Sequence, residues 1–201
     1  MARKLIYVPI IHGRADHGSV ADRLGAIGRK ALGQAAWQEH ERKVADLWEK
    51  LRVSLIARLE RALAGAAWDK VRIYQDGLPA AGETARRIVE EVAASGSANY
   101  QLIKDLLCRG AQIESTEDAA LLQEEYDLVR AMAAAKEPGE RARAEMAYRG
   151  RSAALLEARD RFIAKRIDES LRPGEVGILF IGAFHRVRTW LPADVEVVVV
   201  S

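Results

Sequence analysis

Val176-Gly177-Ile178-Leu179-Phe180-Ile181 followed by Gly182-Ala183-Phe184-His185 contains the clearest strand of the chain. Its apolar residues run on without alternation, as in a strand covered on both faces by helices, so it points to a largely parallel sheet. Arg172, Pro173 and Gly174 stop the element before it. That element is a long helix, roughly Glu140 to Leu171, with Leu155, Leu156, Phe162, Ile163, Ile167 and Leu171 as its apolar positions. A nearly all-valine strand, Val195 to Val200, closes the chain.

Earlier segments repeat the alternation of short strand and long helix. Leu5 to Ile11, Val71 to Tyr74 and the weaker Gly110 to Ile113 read as strands. Pro9 has no N–H to give a ladder, which places its strand at the sheet edge or interrupts the ladder there. Between the strands, Val44, Leu47, Trp48, Leu51, Leu55, Leu59 and Leu63 recur at spacings of three and four, the mark of one helix face. Helices also span Glu83 to Ala94, Asn99 to Leu107, and a stretch carrying Leu121, Leu122, Tyr126 and Val129 that Pro138 and Gly139 break. Thr116 is a candidate cap for that stretch, and Ser115 with Asp118 is an approximate alternative. The pattern predicts an α/β layered fold: a central, mostly parallel or mixed sheet of four to five short strands with long flanking helices. Strand order cannot be read from it.

A chain of 201 residues fits one ordinary domain, here 1–201. With 49% hydrophobic and 30% charged residues the balance is globular, which argues against a disordered or fibrous protein. The formal charge of +2 is spread along the chain, so no polybasic footprint marks it for nucleic acid. No window approaches the apolar length that a membrane span requires, and no signal-peptide stretch opens the chain, so a cytoplasmic location is expected. Cys108 is the only cysteine, which excludes an intrachain disulfide and a Cys-rich cluster; following Leu106 and Leu107, it reads as a buried thiol.

The chemistry lies where the strands stop. His12, with Asp16 and His17 close behind, follows the first strand; Asp76, Glu114 and His185 follow the second, third and fourth. If the strands are parallel these residues meet at one rim, where open α/β sheets bind ligands. His12, Asp76, Glu114 and His185 are therefore the candidate catalytic residues and, equally, candidate ligands of a divalent metal ion that would activate water. Without metal, one histidine would serve as general base. His17, Arg159 and Arg166 are candidate substrate-binding residues. Arg159 and Asp160 border the apolar stripe of their helix, so burial would require partners, and Asp160 could orient a histidine. Gly182 and Ala183 let the chain turn, which predicts that His185 projects into the rim and that its loss changes stability little. The His-Glu-x-x-His helix, the Gly-x-x-x-x-Gly-Lys loop and the Gly-x-Ser-x-Gly elbow are all absent.

Arg159-Asp160-Arg161-Phe162-Ile163-Ala164, followed by Gly177 to His185, resembles the carboxyl-terminal pattern of the superfamily containing erythromycin esterases, the haem-binding ChaN-like lipoproteins and the TraB and Tiki proteins. His12-Gly13 is similar to that superfamily's early histidine-glycine element. The resemblance covers the two ends of the chain; it implies ester or peptide hydrolysis, sometimes metal-dependent, or ligand binding, with His12, Glu114, Arg159 and His185 as the carried-over residues. Gln75-Asp76-Gly77 stands where an early glutamate-glycine pair is expected.

The reading that follows is a small hydrolase-like enzyme, metal-assisted or not, acting on a small-molecule substrate; the alternative is a non-catalytic small-molecule or regulatory binding domain using the same rim. The many amphipathic helices predict a homodimer with a helix-mediated interface around Val44 to Leu63. Trp37, Trp48, Trp68 and Trp190 read mainly as core anchors, or otherwise as partner contacts.

Overall fold

A computed structural model describes residues 3–10 and 33–200. Five parallel strands form one sheet: β1 (Arg3–Ile10), β2 (Val71–Gln75), β3 (Gln112–Ile113), β4 (Val176–Gly182) and β5 (Val195–Val199), in the order β3-β2-β4-β1-β5. Helices α1 (Gln34–Leu63), α2 (Gly82–Ala94), α3 (Ala98–Cys108), α4 (Ala119–Ala134) and α5 (Pro138–Ser170) connect them, so the layered α/β architecture expected from the alternation is the one observed. The strand order explains the uninterrupted apolar run of β4, which sits centrally with β1 on one side and β2 on the other.

The sheet separates two cores. On one side Ile6, Val8, Ile73, Ile178 and Phe180 pack with Trp48, Leu55 and Leu59 of α1 and with the inner faces of α2 and α3. On the other, Leu5, Tyr74, Leu179 and Ile181 pack with Ile163, Ala164 and Ile167 of α5. Alternate residues of β4 thus serve opposite layers, which is why none of its interior positions is polar. Most of the stripe on α1 packs on its own sheet, with Val44 and Leu51 half-buried and Leu47 (51% exposed) and Val53 outside it.

Several local expectations change in detail. Pro9 lies on an internal strand, paired in register with Ile181, while the β1–β5 ladder ends at Tyr7–Val199. Val200 donates to the Tyr7 carbonyl, so the next N–H on that edge would belong to Pro9; its absence ends the ladder there. The α4 cap is Asp118, whose carboxylate accepts from Ala120 and Leu121, because Thr116 instead accepts from the Gln75 N–H and ties two loops together. Pro138 does break the helical run, but as the first residue of α5, where its missing donor costs nothing. Cys108 is exposed rather than buried: it is the last residue of α3, and the inner face there belongs to Leu106 and Leu107.

Gly177 shows how closely β4 is packed. A Cβ at this position would stand 2.7 Å from Leu5 Cδ1 and 3.3 Å from both Leu171 and Tyr74. All three neighbours are buried, so Gly177→Ala is expected to lower stability by about 1–3 kcal/mol through overpacking. Chemical denaturation of the variant checks this, and an unchanged midpoint would show that Leu5 repacks freely.

Candidate functional site

The carboxyl ends of β2 and β4 meet a buried polar cluster supplied by α5 and the loop before α4. Asp76 follows β2 directly, and its backbone N–H continues the ladder to the Phe180 carbonyl at 2.9 Å. The same parity that places Tyr74 against α5 turns the Asp76 side chain towards that helix. One carboxylate oxygen accepts from the Gly182 N–H at 3.0 Å and the other from the Arg159 guanidinium at 2.7 Å. Gly77, at φ 76°, makes the turn that an L side chain would resist. Behind it, Gln75 accepts from Asn99 and donates to the Asp76 carbonyl, fixing the peptide that carries the carboxylate.

Arg159 and Asp160 do border the apolar stripe of α5, both are buried, and each has the partners that burial demands. The Arg159 side chain, 7% exposed, donates to Glu117 through two nitrogens at 2.5 and 3.2 Å, to Asp76, and to Glu125 of α4. Glu117 is wholly buried and also accepts from the Gly77 N–H at 3.4 Å. Asp160 holds the β4 exit: one oxygen lies 2.6 Å from His185 Nδ1 and the other accepts from the Arg186 N–H at 2.7 Å. The His185 N–H closes the turn on the Gly182 carbonyl at 3.1 Å. The remaining ring nitrogen, Nε2, stands 3.6 Å from the Asp76 carboxylate, beyond hydrogen-bond length but within ion-pair range. Tyr7 of β1 donates to the His185 carbonyl at 3.4 Å.

These contacts set the protonation states. Burial opposes a charge on His185, but the Asp160 hydrogen bond and the Asp76 charge outweigh it and raise its pKa. Burial likewise works against the Asp76 carboxylate, and the charges of His185 and Arg159 overcome it, holding its pKa below the usual carboxylate value. Glu117 goes the other way: burial pushes it up to about 7 despite the Arg159 hydrogen bonds. Tyr7 is raised to about 12 by burial and by the charges of Asp160 and Asp76, so it is a donor throughout the physiological range.

A stability profile follows from these directions. Glu117 binds a proton more tightly folded than unfolded, so its contribution falls as pH rises from about 4.5 to 7; His185, also raised, loses its contribution as pH rises through its folded pKa. Asp76, lowered, contributes above its ordinary value and loses that contribution only in acid. Stability should therefore decline as pH rises from about 4.5 to 7 through Glu117, and further above 6.5 through His185. Glu117→Gln, which carries no titrating proton, should flatten the lower half of that decline. Thermal melts across pH test it, and an identical slope in the variant would remove Glu117 as its source.

Of the residues singled out from sequence, Asp76, Arg159 and His185 come together. Glu114 is engaged elsewhere, paired with Arg72 at 2.9 Å, and Arg72 also holds Glu175 at 2.7 Å. Arg166 donates to the Ser115 carbonyl and pairs with Glu169, outside the cluster. His12 and His17 lie outside the described residues. The His185 side chain is only 6% exposed, so it is buried and anchored, and its loss should cost stability after all. Glu117, Glu125 and Tyr7 were not singled out as site residues. The demand that a buried arginine makes for carboxylates was a signal for the first two, and strand parity was one for Tyr7.

Among the described residues, no group of three or more His, Cys, Asp or Glu side chains is arranged to hold a metal ion. Asp76 and His185 Nε2 are the two donors that face one another, and the guanidinium against Asp76 already occupies the place of a cation. No described helix is long and apolar enough to cross a membrane. The chain matches no known protein family, no characterised protein and no solved structure. Its fold is a generic α/β scaffold of a kind used by many hydrolases and binding proteins.

Proposed function

We propose that this protein is a hydrolase-like enzyme acting on a small molecule at the carboxyl rim of the sheet, with His185 as its proton-transfer group. The observation that carries this reading is the contact of Asp160 with His185 Nδ1 at 2.6 Å, which fixes the ring while Nε2 faces Asp76 across 3.6 Å. A carboxylate on one imidazole nitrogen sets the tautomer and raises the basicity of the other, the arrangement used where histidine relays a proton. In this scheme neutral His185 accepts a proton at Nε2 from water as the water attacks an ester or amide carbonyl, and returns it to the leaving group. Asp160 orients the ring and stabilises the imidazolium, and Arg159 keeps Asp76 ionised beside it. The resemblance to the erythromycin esterase superfamily leans in the same direction.

A metal-assisted version needs further ligands beyond Asp76 and His185, with His12 the expected contributor. Metal analysis of protein purified without chelator tests that version separately, and no proton step above depends on it. A panel of aryl esters, peptides and phosphoesters, assayed with and without chelator, tests the reaction. Since the His185 pKa is raised, turnover by the base should increase with pH through a value above 6.5. Absence of turnover in folded protein, together with saturable binding of a small molecule that His185→Ala abolishes, would favour the binding-domain alternative. That alternative draws on the closed arginine–carboxylate cluster, in which every charge named above is already partnered.

A further inference from the structure

We propose that β5 pairs with β5 of a second copy of this chain, joining two sheets across a twofold axis at Val198. Among the described residues β5 is an edge strand, with β1 on its one paired side. Asp194 accepts from Arg3 and Val200 donates to Tyr7, so the even-numbered residues turn their backbone groups to β1. By alternation the N–H and C=O of Val197 and Val199 point outward. An antiparallel copy centred on Val198 sets Val197 opposite Val199 of the second chain, and Val199 opposite its Val197. Every one of those outward donors and acceptors then finds a partner, and Val198 lies against its own symmetry mate.

The side chains suit a second copy for the same reason. Sheet edges are commonly protected by charge, proline or a bulge, whereas this one presents Val198 and Val199, 37% and 46% exposed. Its one charged residue, Glu196, falls opposite Val200 in this register rather than opposite another Glu196, so the self-pairing brings no like charges face to face. Among the described residues a groove of about 430 Å³ opens beside the end of β5, where Pro9, Val200 and the Val44, Leu47 and Leu51 side chains of α1 make a mostly apolar lining that also includes Lys50 and Ser54. The expected homodimer thus acquires a sheet-edge centre in place of a purely helical one, and the carboxyl-rim cluster is not part of it.

Val199→Pro isolates the contact, since it removes an outward N–H and leaves the β1 ladder its bonds. Light scattering across a concentration series should give a dimer for the wild-type chain and a monomer for this variant, with circular dichroism and melting reporting that the fold persists. Val198→Lys, which sets two like charges on the axis, should also give a monomer if the proline variant fails to fold. A wild-type chain that is monomeric throughout overturns the proposal. So does a dimer that survives either folded variant, which would move the interface to α1.

Discussion

Arg159→Met should destabilise the protein by about 3–5 kcal/mol, the range expected when one partner of a buried ion pair is removed and the other stays. Methionine retains the stem that packs along α5 but leaves Asp76, Glu117 and Glu125 without their common cation. Glu117 has no solvent to turn to, and its pKa, already pushed to about 7, should rise further as the Arg159 bonds that lower it disappear. The loss should therefore be smaller in mild acid, where a proton replaces the guanidinium, than in mild base. Total stabilities of this size class of domain are about 5–15 kcal/mol, so the variant should be near its folding limit at alkaline pH. Adding Glu117→Gln to Arg159→Met should recover part of the loss, because the amide needs no counter-charge. Urea titrations of both singles and the double at two pH values close the cycle. A loss under about 1 kcal/mol would mean that water reaches the cluster and does the work assigned here to burial.

His185→Ala is expected to remove function by about two to four orders of magnitude in turnover, the usual contribution of a positioned acid or base. It should also cost about 1–3 kcal/mol, since Asp160 would keep its bond from the Arg186 N–H and lose its partner on the other oxygen. The two losses are separable. If turnover falls only in proportion to folded protein, His185 is a structural residue; an unchanged activity or affinity in folded variant removes it from the site altogether. Asp160→Asn provides the finer control. It takes away the carboxylate that raises the His185 pKa, so any pH profile governed by His185 should move to lower pH while the ring itself remains.

The fold was legible because buried parallel strands have a plain signature. Val176 to Ile181 has no alternation, and the structure covers it on both faces. The order of the strands was not legible, since nothing in β1 or β2 records that a strand from near the end of the chain will enter between them. The site divides in the same way. His185, Asp76, Arg159 and Asp160 could be found, the first two as strand-end residues and the last two as charges beside an apolar stripe. Glu114 stands at a strand end as well, but the underside of its loop meets Arg72, and an arginine on a neighbouring strand leaves no mark on the glutamate's own sequence context. Glu117 looked like favourable helix-start charge, and only the path of α5 across the rim turns it into a buried partner of Arg159.

The placement of β4 has a consequence for how the chain acquires its shape. Among the described residues β1 forms ladders with β4 and β5, which lie more than 150 residues further along, so β1 is made long before either of its ladder partners exists. Both of these pairings close a loop of more than 150 residues, a high contact order that slows folding and prolongs the life of partly assembled forms. On the ribosome, β2, β3, α2 and α3 can associate early, and β1, with its ladder unpaired and Leu5 still without its α5 neighbours, must be kept from aggregating until β4 and β5 emerge.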